Sequence, residues 1–123
     1  MIVFTVLYVV LCTATVFFQV GLIAGAPWGH LTQGGRVQGP LPKSGRIAAL
    51  VSIFILAGMI VVVAAKGGLI RLDLPGWAGW VALTIQSLSM VANWATPSVP
   101  ERRLWAPIVT TMFACMAITI LLN

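Results

Sequence analysis

Apolar residues along this chain come in four blocks, 2–24, 47–65, 77–95 and 104–122, none of which contains Asp, Glu, Lys, Arg or His. Each block matches the roughly 20 residues that a helix needs to cross a bilayer core. The densest, "IAALVSIFILAGMIVVVAA", is continuously apolar, without the alternation of a membrane β-barrel strand. The pattern predicts an all-α membrane protein, a four-transmembrane-helix bundle forming one domain over 1–123. Glycines and prolines gather between the blocks, as expected where irregular backbone has to stay out of hydrocarbon.

Composition strengthens this picture. The chain is 60% hydrophobic and 7% charged, with a mean hydropathy of +1.07. A soluble domain carries about 25% charged residues, so a water-facing surface cannot be assembled here. The small residues Ala24, Gly25 and Ala26 look like a signal-peptidase site. No basic segment precedes the first block, however, and that block exceeds the usual apolar length of about 7–15 residues. It is expected to remain as a helix.

Trp28, Trp77, Trp80, Trp94 and Trp105 all fall at or near block ends, where indole favours the headgroup zone. The first and third connections share a face and together hold five basic residues: Arg36, Lys43, Arg46, Arg102 and Arg103. The second connection holds two, Lys66 and Arg71. The positive-inside rule then places connections one and three in the cytoplasm and both termini on the outer side. A net charge of +5 spread over short connections is explained by this topology and by anionic headgroups, not by nucleic acid.

Two stripes of uncharged polar residues run inside the blocks. Thr5, Tyr8, Cys12, Thr15 and Gln19 step by 3 and 4, as do Gln86, Ser89 and Asn93, so each set occupies one helical face. Both faces are expected to point into the bundle. They admit two readings: hydrogen-bonded glue between helices, or the wall of a polar cavity opening near Gln19 and Asn93. Gly21 and Gly25 form a Gly-x-x-x-Gly that says little about oligomers.

The first connection, "GAPWGHLTQGGRVQGPLPKSGR" (25–46), holds six glycines, three prolines and the one histidine. Pro40 and Pro42 remove two N–H donors from any phosphate nest before Lys43, and G-x-G-x-x-G is absent. His30, Asp73, Glu101, Cys12 and Cys115 are too few and too scattered for a structural zinc site, which takes four ligands. No cofactor or metal is expected. A Ser98/His30/Glu101 triad could be composed from one face, but no nucleophile elbow accompanies it. At about 20 residues the connection is long beside the usual 2–8 between helices. Trp28, Leu31, Val37 and Leu41 would anchor it as an ordered segment folded over the bundle mouth.

In the third connection, "TPSVPERR", Ser98 and Glu101 have capping-box spacing and Pro100 suits an early helical turn. Glu101 would also pair with Arg36, Arg46 or Arg103 and latch the two connections together. The combination of Gly25-Ala26-Pro27-x-Gly29, Gly34-Gly35, Leu41-Pro42, Arg46, Ser98-x-Pro100-Glu101-Arg102 and Pro107 resembles an uncharacterised family of small bacterial four-helix integral membrane proteins. That resemblance implies a multi-pass protein of the bacterial inner membrane and carries no activity with it. Small multidrug transporters are similar in size, but they rely on a glutamate in the first helix, where this chain has none.

The expectation is a non-enzymatic protein that binds a small apolar or amphipathic molecule, or a membrane partner or second copy, through loops 25–46 and 96–103. Gln19, Trp28, His30, Gln33, Arg36, Gln86, Asn93, Ser98, Glu101 and Arg102 are the candidate site residues. A small transporter or channel component, or an enzyme acting on a lipid-like substrate, are the alternatives.

Overall fold

A computed structural model describes residues 2–122. It contains four α-helices, α1 (Ile2–Ile23), α2 (Lys43–Lys66), α3 (Trp77–Ala95) and α4 (Val99–Leu121), with short 3-10 turns at Gly29–Leu31 and Gln33–Gly35. Helices α1, α2 and α4 are long and apolar enough to cross a membrane. Helix α3 carries Thr84, Gln86, Ser87, Ser89 and Asn93 within its 19 residues, which dilutes its apolarity.

Two helices begin earlier than their apolar blocks, and a side-chain cap accounts for one of them, α4. The Ser98 hydroxyl accepts from Glu101 N at 3.3 Å, and Pro100 occupies the first turn, so α4 starts at Val99 rather than near 104. Helix α2 starts at Lys43, directly after Pro42. The helices therefore include Lys43, Arg46, Glu101, Arg102 and Arg103 near their N-terminal ends.

Helix α1 packs against both α2 and α4, and α3 packs against α4. Helices α2 and α3, although consecutive in sequence, touch sparingly. Around the bundle the order is thus α2, α1, α4, α3, with a seam between α2 and α3.

The half of the bundle nearest the termini is tightly filled. Tyr8, Cys12, Met59, Val63, Ala82, Leu83, Met112, Cys115 and Met116 form its core. Thr5 and Thr119 share a hydrogen bond of 3.0 Å between hydroxyls, and the Tyr8 hydroxyl donates to Gln86 Oε1 at 2.9 Å. A smaller apolar cluster, Leu22, Leu41 and Ala49 with Phe18, Ile23 and Val37, seats the first connection against α1 and α2. Outward faces are apolar on every helix, as Phe17, Phe54, Leu88 and Leu121 show, each more than half exposed.

Candidate functional site

A cavity of about 490 Å³ occupies the half of the bundle nearest the first and third connections. Thr15, Phe18 and Gln19 of α1 form one wall, and Ser52, Ile55 and Leu56 of α2 the next. Helix α3 contributes Ile85, Gln86, Ser89 and Asn93, and α4 contributes Glu101, Trp105 and Val109. Met59, Gln86 and Met112 line it where the packed half begins. Ile55, Ala92 and Ala95 line the cavity yet are exposed on the bundle exterior, so it opens sideways through the α2–α3 seam.

The first connection roofs this space. Thr32, Gln33 and Gly34 line the cavity from above, and Thr96 and Pro97 of the third connection meet them. Three hydrogen bonds fasten the roof to the start of α4. Gly34 N–H donates to Glu101 Oε2 at 3.2 Å, Ser98 Oγ donates to the His30 carbonyl at 2.9 Å, and Trp105 Nε1 donates to the Leu31 carbonyl at 2.9 Å. A fourth, Gln33 Nε2 to the Gly45 carbonyl at 2.9 Å, fastens it to α2. The chain takes positive φ at Gln33, Gly34 and Gly35 in succession. At Gly35 glycine is required twice, since a Cβ there would also collide with Ser98.

The expected latch therefore exists with a different partner. Glu101 binds a backbone amide of the first connection rather than Arg36, Arg46 or Arg103. Arg46 instead donates to the carbonyls of Leu41 and Ile23, where it serves the C-terminal end of α1. Only half of the capping box forms. The Glu101 side chain does not return to Ser98 N, which donates to Thr96 Oγ1 at 3.3 Å.

Of the ten candidate residues, Gln19, Gln33, Gln86, Asn93 and Glu101 line the cavity. Trp28 stands behind it, stacked on Phe18 with ring centroids 5.3 Å apart. A Cβ at Gly21, the first glycine of the Gly-x-x-x-Gly, would collide with the Trp28 ring, so this glycine makes a seat for the indole. Ser98 and Arg102 are structural, Arg102 donating to the Thr96 carbonyl at 3.1 Å. His30 contributes its carbonyl, and Arg36 is exposed beyond the roof. Neither Ser98 nor Glu101 bonds the imidazole of His30, so no triad is assembled.

The polar stripes join helices over one part of their length and line a cavity over the other, but that cavity is roofed at the Gln19–Asn93 end and opens between α2 and α3 instead. Thr5, Tyr8 and Cys12 are buried in the packed half, while Thr15 and Gln19 face the cavity. Phe18 and Trp105, in edge-to-face contact at 4.8 Å, are lining residues that the sequence did not mark. Trp105 lies inside α4 and turns inward to Leu31, whereas Trp77, Trp80 and Trp94 are exposed at helix ends.

The chemistry of the lining is uneven. Gln86 is 98% buried, seen from its 2% exposure, and its Oε1 accepts the Tyr8 hydroxyl. Its Nε2 donates to no protein acceptor among the described residues and is left for the cavity. Glu101 is 6% exposed, and only one of its oxygens accepts a protein hydrogen bond. Among the described residues no Lys, Arg or His lines the space. Among the described residues no group of three or more His, Cys, Asp or Glu side chains converges. Comparison with protein-family models, curated proteins and solved structures gives no match to this chain.

Proposed function

We propose that this is a four-span integral protein of a bacterial inner membrane, both termini on the outer side, that holds a small apolar or amphipathic molecule without converting it. The observation that carries this reading is the roofed cavity. Ligand sites are concave, largely apolar and supplied with a few convergent polar groups, within about 300–1,000 Å³. The space between the four helices has that size and makeup. Helix α3 supports the four-span arrangement: its 19 residues rise ~28 Å, close to a hydrocarbon core of about 30 Å. The basic residues of the first and third connections support the orientation.

Binding is favoured over transport because the polar lining stops at Gln86. Beyond it Tyr8, Val63, Cys115 and Met116 are buried in the packed core, so the polar groups that line the cavity form a chamber rather than a path. Native mass spectrometry of the protein, gently extracted from its own membrane, is the test. A reproducible added mass of small-molecule size is the expected result. A bare protomer or homo-oligomer that retains nothing, across mild detergents, overturns it.

A further inference from the structure

The cavity's polar groups select among amphipathic molecules. Two of them belong to side chains more than nine-tenths buried, the Glu101 carboxylate and the Gln86 amide, and each presents a group without a protein partner to the same space. The carboxylate lies at the roof end and brings a negative charge that no lining cation among the described residues offsets. An anionic head would meet that charge in a site of low dielectric, where repulsion is strongest. A cationic head would gain an ion pair with Glu101 in the same space. Gln86 Nε2, further down, suits an acceptor such as a hydroxyl or carbonyl oxygen on the same molecule. From there the wall is apolar, through Leu56, Ile85 and Val109, toward the seam between α2 and α3.

Resting on the cavity reading above, we propose that the ligand is a single-chain amphiphilic amine. Its ammonium group donates to Glu101 under the roof, and its hydrocarbon tail lies along the apolar wall and leaves through the α2–α3 seam. The amine is drawn from the bilayer through that seam, so the roof does not have to open for it to bind.

The test uses radiolabelled dodecylamine with full-length protein in phosphatidylcholine nanodiscs, corrected for protein-free discs. Dodecanol and dodecanoate serve as competitors of the same tail. Wild-type protein is expected to bind the amine saturably, one per protomer, with dodecanol at least tenfold and dodecanoate at least a hundredfold weaker in competition. Glu101→Gln keeps an acceptor for Gly34 N–H and removes the charge. It is expected to weaken the amine by about tenfold to a hundredfold, the range of a charge-assisted bond, while leaving dodecanol unchanged. Ala92→Trp places bulk at the exposed seam and is expected to abolish saturable binding of every probe.

Equal competition by the three probes, or an unchanged affinity in Glu101→Gln, overturns the amine and leaves the cavity as a site for neutral amphiphiles. Full binding in Ala92→Trp overturns access through the seam. Absence of saturable binding by all three probes overturns the ligand cavity itself.

Discussion

Replacing Gly35 by alanine tests whether fit against α4 keeps the roof closed. Gly35 has φ +67°, and an added Cβ would meet both Cβ and Oγ of Ser98. An L-residue in the left-handed region costs roughly 1–2 kcal/mol. To clear the methyl group, Ser98 must turn away from the His30 carbonyl and from Glu101 N. A helix cap and one further hydrogen bond are each worth about 1 kcal/mol. Together these terms remove about 3–4 kcal/mol from roof closure, which raises local opening by on the order of a few hundredfold. Gly39→Ala separates the two contributions. Gly39 has φ +80°, but no atom lies within 4 Å of a Cβ built there, so that variant carries the backbone cost alone. Hydrogen exchange of nanodisc-embedded protein, followed on peptides across residues 29–39, reads both variants. Exchange should quicken modestly in Gly39→Ala and by at least a further tenfold in Gly35→Ala. Equal exchange in the two variants would refute the idea that contact with Ser98 holds the roof.

Other expectations are more local. Tyr8→Phe removes the donor to Gln86 Oε1 and should lower stability by about 0.6 kcal/mol, the average for such bonds between membrane helices, in reversible denaturation in mixed micelles. Its effect should vanish in a Gln86→Leu background, and full additivity would count against the bond. Gly21→Ala should displace Trp28 from Phe18 and change the near-ultraviolet circular dichroism; an unaltered spectrum would contradict that packing. Trp105→Phe keeps the ring beside Phe18 and loses the bond to the Leu31 carbonyl. Protease cutting within residues 29–39 should rise several-fold, consistent with a loss of about 1 kcal/mol. Alkaline phosphatase fused after residue 122 or within 67–76 should be active, and fused within 36–42 inactive; the reverse pattern would invert the topology.

Helix identity was legible because lipid-facing and core residues are both apolar, so a block of the right length betrays its helix without any period. What blocks of that kind conceal is packing order. Nothing in the apolarity of α2 and α3 says that they stand apart, because the gap follows from how α1 fits between α2 and α4. Helix starts were concealed for a related reason. Hydropathy reports where lipid begins, whereas α4 begins where Ser98 caps it, five residues before its apolar block. The stripes of Thr15–Gln19 and Gln86–Asn93 did point to the cavity, because polar side chains at one helical face have few places to go in a bilayer. Phe18 and Trp105 gave no such signal, since an aromatic ring reads the same whether it meets lipid, a neighbouring helix or a ligand.

Glu101 shows how one residue type can satisfy a local rule and then be used by the tertiary structure for something else. Its spacing from Ser98 is that of a capping box, in which the carboxylate would turn back to Ser98 N. That return would place the charge over the helix end and away from the cavity. In the folded chain Thr96 Oγ1 takes over Ser98 N at 3.3 Å, and the carboxylate is released to reach Gly34 at 3.2 Å. Thr96 is itself 7% exposed, so this substitution is built into the third connection and is not an accident of a loose side chain. Thr96→Val keeps the shape and removes the hydroxyl. If Thr96 frees Glu101, the carboxylate in that variant will be drawn back to Ser98 N. The variant should then match Glu101→Gln in its weakened hold on dodecylamine and should also exchange faster at Gly34, although the charge is still present. Retention of full amine binding in Thr96→Val would show that the carboxylate faces the cavity without help from Thr96.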